Sequence, residues 1–193
     1  MRESRPHLKI PEALRVTNLT GGTLAGPGKI VVPPLTFIAP DGSVLVSLFY
    51  LGENLCGHPG IIHGGLLATL LDEGLARCCF PAMPNGVAVT ASLKVEYKRP
   101  VMAGDYYVLV ARTERVEGRK AWVGGWIGKL DAKGAEGLGG MEGVGRRDVV
   151  KELLAEGMGK DGSGVVSLGG EAGREKLVTA SALFIEPRNA SVS

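Results

Sequence analysis

Two hydrophobic rhythms divide this chain. Across residues 87–97 apolar and polar positions alternate: Val87, Val89, Ala91, Leu93, Val95 and Tyr97 on one face, Thr90, Ser92, Lys94 and Glu96 on the other. That is the period of a half-buried β-strand. Runs of β-branched and aromatic residues at 29–37 and 43–50, around the turn Pro40-Asp41-Gly42, predict two more strands. Strands over 105–116 and 120–130 are joined as a hairpin by Glu117-Gly118-Arg119, and 178–185 supplies a last one. Between them, residues 64–79 change to a helical period. Leu66, Leu67, Leu70, Leu71 and Leu75 cover one half of the circumference; Ala68, Thr69, Asp72, Ala76 and Cys79 cover the other. Phe80-Pro81 closes the helix. One long helix followed by an antiparallel meander predicts an α+β fold, with a sheet curled around the helix.

Elsewhere the pattern weakens. Residues 131–177 hold 13 of the chain's 30 glycines and few bulky side chains. Such a stretch buries too little surface to offset its backbone entropy, so it reads as a long flexible insertion, with a short helix at 148–158. Residues 1–28 mix Arg2, Arg5, Lys9 and Arg15 with Glu3 and Glu12 and lack the apolar run of a secretory signal. The predicted organisation is a weakly structured extension over 1–28, one domain over 29–186 carrying the insertion, and a tail over 187–193.

Composition narrows the function classes. With 193 residues, 45% of them hydrophobic, the chain suits a single globular domain. No window of 18 consecutive apolar residues exists, so no transmembrane helix is expected. A net charge of +2 argues against a broad basic face, and hence against a nucleic-acid partner. Cys56, Cys78 and Cys79 cannot form a complete disulfide framework. A reducing, intracellular compartment, cytoplasm or mitochondrion, is the simpler expectation.

Candidate chemistry concentrates on the helix. His63-Gly64-Gly65 stands at its start, where free N–H groups and the positive end of the dipole suit an anion or a developing oxyanion. Glycines before a helix also serve as plain turn formers. Asp72 lies in the small-residue face without a helical partner, whereas Glu73 has Arg77 four residues on. From Gly64 to Asp72 is about 12 Å along the axis, so one carbonyl group cannot meet both within one subunit. If both act on one substrate, the site takes Gly64 from one chain and Asp72 from another.

The string His58-Pro-Gly-Ile-Ile-His63-Gly-Gly-Leu-Leu-Ala-Thr-Leu-Leu-Asp72-Glu resembles the HGG…D signature of PaaI-like hotdog-fold acyl-CoA thioesterases. Residues 89–100, 116–120 and 180–185 are similar to the strands that follow in that family, nearest to mitochondrial thioesterases of the carboxyl-terminal modulator type. The resemblance implies a helix wrapped by a curved antiparallel sheet, and homodimers or dimers of dimers that join two sheets. It implies an acyl-CoA substrate, with coenzyme A part of the substrate and no cofactor or metal. Asp72 matches the catalytic carboxylate, as general base or nucleophile. Gly64 matches the backbone donor to the thioester carbonyl, assisted by Gly65. His63 matches a residue that positions the turn, and Thr90 a hydroxyl that orients Asp72 or the water. Where relatives often carry Asn, this chain has Gly57, with His58 beside it as a possible replacement; the insertion has no counterpart in the better-known members.

Other groups compete for roles. Lys98, Arg99, Arg119 and Lys120 are candidates for the coenzyme A phosphates, or solvated hairpin charges. Lys98, Arg119 and Lys120, with His58 and Glu73, complete the expected substrate-binding set. Trp122 and Trp126 suit core or interface packing. Cys56, His58 and His63 lack a second ligand pair for zinc. Cys78 and Cys79 read as small helix residues, not nucleophiles. Three alternatives stay open: a catalytically weak acyl-CoA-binding or protein-binding hotdog protein, an acyl-carrier-protein thioesterase, and a hotdog dehydratase.

Overall fold

The computed structural model describes residues 1–130 and 175–188. Nearly all of the expected insertion at 131–177 and most of the tail lie outside the described residues. Seven strands form one antiparallel sheet in the order β1-β2-β3-β7-β8-β9-β6. They are β1 (Arg2–Ser4), β2 (Leu35–Ile38), β3 (Val44–Leu51), β6 (Val89–Tyr97), β7 (Asp105–Glu117), β8 (Lys120–Lys129) and β9 (Lys176–Ile185). A small hairpin of β4 (Cys56–His58) and β5 (Ile61–Ile62) leads into the long helix α2 (Gly64–Cys79).

The helix has the bounds its pattern predicts. Leu66, Leu67, Leu70, Leu71 and Leu75 are all buried against the inner face of the sheet, in one cluster with Leu45, Phe49, Leu109, Ile127, Val178 and Phe184. Each such leucine contributes about 2 kcal/mol through removal from water. The helix lies close to the sheet because both surfaces carry glycine at the contact. A Cβ at Gly74 would stand 2.7 Å from the Leu109 side chain, and one at Gly125 2.8 Å from that of Leu75. On the outer face a second apolar cluster gathers Leu35, Phe37, Val46, Leu48, Val108, Val110, Trp126 and Leu130.

Three features depart from the sequence pattern. The run 29–37 yields a strand only over Leu35–Ile38, because Pro33 and Pro34 have no N–H to give the ladder. The first 28 residues, expected to be weakly structured, supply β1, the short helix α1 (Glu12–Arg15) and turns that dock on the domain. His7 and Thr20 are buried there, and both reach Glu73 of α2. The third departure is a bulge in β6. Thr90 pairs with Phe184 and Ser92 with Leu183, so Ala91 is the extra residue. A bulge shifts the alternation by one. Thr90, expected on the polar face, therefore joins Leu93, Val95 and Tyr97 on the side that faces the helix, and Val89 turns outward, 56% exposed.

Candidate active site

The start of α2 is built around His63. Its backbone is extended, and its Nδ1 accepts a hydrogen bond from the Gly65 N–H at 2.9 Å, so the imidazole caps the helix. A Cβ on Gly65 would press on that imidazole at 3.0 Å, which favours glycine at this position. The Gly65 N–H is thus engaged by the cap, whereas the Gly64 N–H has no acceptor among the described residues. Gly57 also borders the cap, since a Cβ there would lie 3.0 Å from the His63 ring. His58 is exposed on β4, paired with Ile61 through the backbone, and its side chain makes no hydrogen bond among the described residues.

Halfway along α2, the Thr90 hydroxyl donates to Asp72 Oδ1 at 2.8 Å. The bulge at Ala91 makes this contact possible. One further residue, not anticipated from the sequence, stands at the other end of β6: the Tyr97 hydroxyl donates to the Gly64 carbonyl at 2.8 Å, and its ring lies 3.4 Å from where a Gly64 Cβ would be. Alternation marked Tyr97 as one more apolar position and concealed its polar end. Strand β6 thus runs antiparallel to α2, with Thr90 on Asp72 and Tyr97 on Gly64.

Glu73, considered for substrate binding, has a different setting. Its carboxylate accepts from the Thr20 hydroxyl at 2.8 Å and lies 3.6 Å from His7 Nε2 and 3.9 Å from Arg77 Nη2. Burial pushes its pKa up, but the bonds from His7 and Thr20 and the charge of Arg77 outweigh this and hold it below the usual value. Glu73 therefore anchors the N-terminal segment. Arg119 makes one structural contact: its guanidinium donates to the Glu186 carbonyl at 2.8 Å and fastens the β7–β8 hairpin to the end of β9. Arg119 is otherwise exposed, and this one bond leaves its other guanidinium N–H groups free for an anion. Glu186 is itself only 2% exposed and accepts from the Asn85 backbone and side chain, tying down the loop that enters β6.

Lys98, exposed beyond Tyr97, pairs with Glu96 at 2.5 Å. Hydrogen bonds from Lys98 and Lys94 hold the Glu96 carboxyl at about 2. Lys120 is exposed at the far end of the sheet, opposite Ile185, and that residue in turn pairs with Val89. Trp126 is buried in the outer cluster, and Arg115 lies over the Trp122 ring at 3.7 Å. Burial pushes the Cys78 and Cys79 thiols up to about 11 and about 12, far from a thiolate at neutral pH.

In one chain, then, the free Gly64 N–H and the Asp72 carboxylate stand two helical turns apart. The profile of the thioesterase superfamily matches residues 59–125, which include both. The chain is 34% identical over 115 residues to an uncharacterized mitochondrial protein of Candida albicans, covering 60% of this chain and 52% of that protein. It is 40% identical over 88 residues to the acyl-coenzyme A thioesterase THEM4 of Mus musculus, covering 46% of this chain and 37% of that one. It spans about half the length of the curated relatives it matches. The Escherichia coli PaaI protein from the phenylacetic acid degradation operon shares the fold, with a TM-score of 0.50 at 13% identity over 76% of this chain and 74% of that chain. Helix, antiparallel sheet and family profile agree: the fold is that of the hotdog thioesterases, and residues 59–125 are similar to the thioesterase superfamily.

Proposed function

We propose that this chain hydrolyses acyl-CoA thioesters to the free acid and coenzyme A, as a homodimer whose sites are shared between subunits. Asp72 takes a proton from water while the water oxygen bonds to the thioester carbonyl carbon. The Gly64 N–H of the other subunit donates to the oxygen on which negative charge gathers. The tetrahedral intermediate collapses, the C–S bond breaks, and the thiolate of coenzyme A leaves with the proton. Thr90 orients Asp72, and His63 shapes the turn that presents Gly64. Acting directly as nucleophile, Asp72 would use the same neighbours.

The observation that carries this reading is the arrangement along β6. Among the described residues this strand is bonded on one side only, to β9, and its other edge is open. Val89 and Tyr97 are exposed along it. Antiparallel pairing of β6 with a second copy, about a two-fold axis near Leu93 and Lys94, sets Thr90 of one chain opposite Tyr97 of the other. Asp72 follows Thr90 and Gly64 follows Tyr97. The operation that joins two open edges thus joins the two halves of the site. It also brings Lys98 of one chain toward Lys120 of the other, as candidate contacts for the coenzyme A phosphates. The Candida relative's name supports a mitochondrial location, and the three cysteines, none in a disulfide, fit a reducing compartment.

A panel of CoA thioesters from acetyl to palmitoyl tests the activity. Asp72→Asn keeps the shape and removes the base, and turnover should fall about 10²–10⁴-fold while the fold survives. Unchanged turnover would take Asp72 out of the reaction.

A further inference from the structure

The sheet edge opposite β6 carries a cleft of about 340 Å³ that the proposed chemistry does not use. The N-terminal segment forms its roof, β2 and β3 its floor, and the end of α2 its third wall. Three cations line it, Arg2, Lys9 and Arg77, and no carboxylate does. Among the described residues Arg2 and Lys9 form no ion pair, and Arg77 stands 3.9 Å from a Glu73 carboxylate already engaged by His7 and Thr20. The rest of the lining is largely apolar: Ile10, Ile38, Leu45, Phe80 and Pro81.

The two chemistries together define the occupant. An inorganic anion would satisfy the cations but leave the apolar wall uncovered. A neutral apolar molecule would cover the wall and leave Arg2 and Lys9 without a partner, and Arg77 with only its share of Glu73. The volume lies at the low end of the range for small-molecule sites, room for one tail and not for a two-tailed lipid. We propose that this cleft binds an aliphatic carboxylate, its headgroup between Arg2, Lys9 and Arg77 and its tail along Ile10, Phe80 and Pro81, the apolar lining left accessible above the buried Ile38 and Leu45. The site does not rest on the hydrolytic reading, although hydrolysis as proposed above would release an acid of this class.

Isothermal titration of the full chain with decanoate at low ionic strength tests it. One decanoate per chain should bind saturably, and decanol, with the same tail and no charge, about tenfold more weakly. Arg2→Ser with Lys9→Ser removes two exposed charges and should weaken decanoate about five- to tenfold. Ile10→Glu sets a carboxylate against the bound acid and should weaken it more than tenfold. Both variants should keep the wild-type melting temperature and thioester turnover; if Ile10→Glu fails to fold, the double variant still decides. A decanoate component that neither variant alters belongs to the Asp72 site. If all decanoate binding is of that kind, if none is detected at millimolar concentration, or if decanol binds as tightly, the proposal is wrong.

Discussion

Each half of the shared site can be disabled in a different chain. Asp72→Asn removes the base. Gly64→Pro removes the free N–H at the first position after the His63 cap, where proline fits a helix because no intrahelical bond is lost. Gly64→Ala is its control: it keeps the N–H, and its Cβ meets the Tyr97 ring at 3.4 Å, an ordinary contact. The alanine variant should therefore stay within a few-fold of wild type, while the asparagine and proline homodimers are nearly dead. About 12 Å separates the two groups along one helix, so both defects of a mixed dimer fall in one site and the other site has neither. At random exchange half the dimers are mixed and each holds one good site, so activity should return to about a quarter of wild type. The assay is thioester hydrolysis by the separate and mixed proteins, with exchange followed by native mass spectrometry. A mixture that exchanges and stays dead, beside an active Gly64→Ala, would refute the shared site.

Two further outcomes test the supports of the site. Thr90→Val should lower kcat about tenfold with little change in melting temperature, and Thr90→Ser should restore it, since only the serine keeps a donor to Asp72. The Glu73 anchor should show in the pH dependence of N-terminal docking, read as amide exchange over residues 2–24. A carboxylate held below its ordinary value of 4.5 stabilises the folded state fully above that pH and loses its contribution as pH falls through the folded value. The difference between wild type and Glu73→Gln should thus be flat above about pH 4.5 and shrink below it, and a difference that grows on acidification would show that Glu73 is not the anchor.

The helix was fully legible because its signals are local. A cap, a 3.6-residue period and a closing proline all lie within residues 63–81, and α2 has the predicted ends. Strands β7, β8 and β9 were legible to within two residues for the same reason. What sequence concealed depends on distant partners. Nothing near Thr20 or His7 announces that Glu73, some fifty residues or more away, will hold them against the domain. The Arg119 contact with the Glu186 carbonyl is likewise a meeting of two strand ends. Within the candidate site, Gly64, His63, Asp72 and Thr90 were singled out by resemblance. The occupied Gly65 N–H and the Tyr97 contact needed coordinates, because each is set by where one side chain folds back.

The bulge at Ala91 makes β6 unevenly tolerant of changes in length. Because Thr90 already pairs with Phe184 and Ser92 with Leu183, a descendant that has lost residue 91 keeps every side chain of the strand on its present face. A one-residue loss between Leu93 and Tyr97 is another matter. It inverts the phase between the strand's two ends, and either Thr90 leaves Asp72 or Tyr97 leaves Gly64. Gaps at the first place are thus neutral to the site and gaps at the second are not. Divergence among such chains should collect deletions at the bulge, while the four steps after Leu93 keep their count.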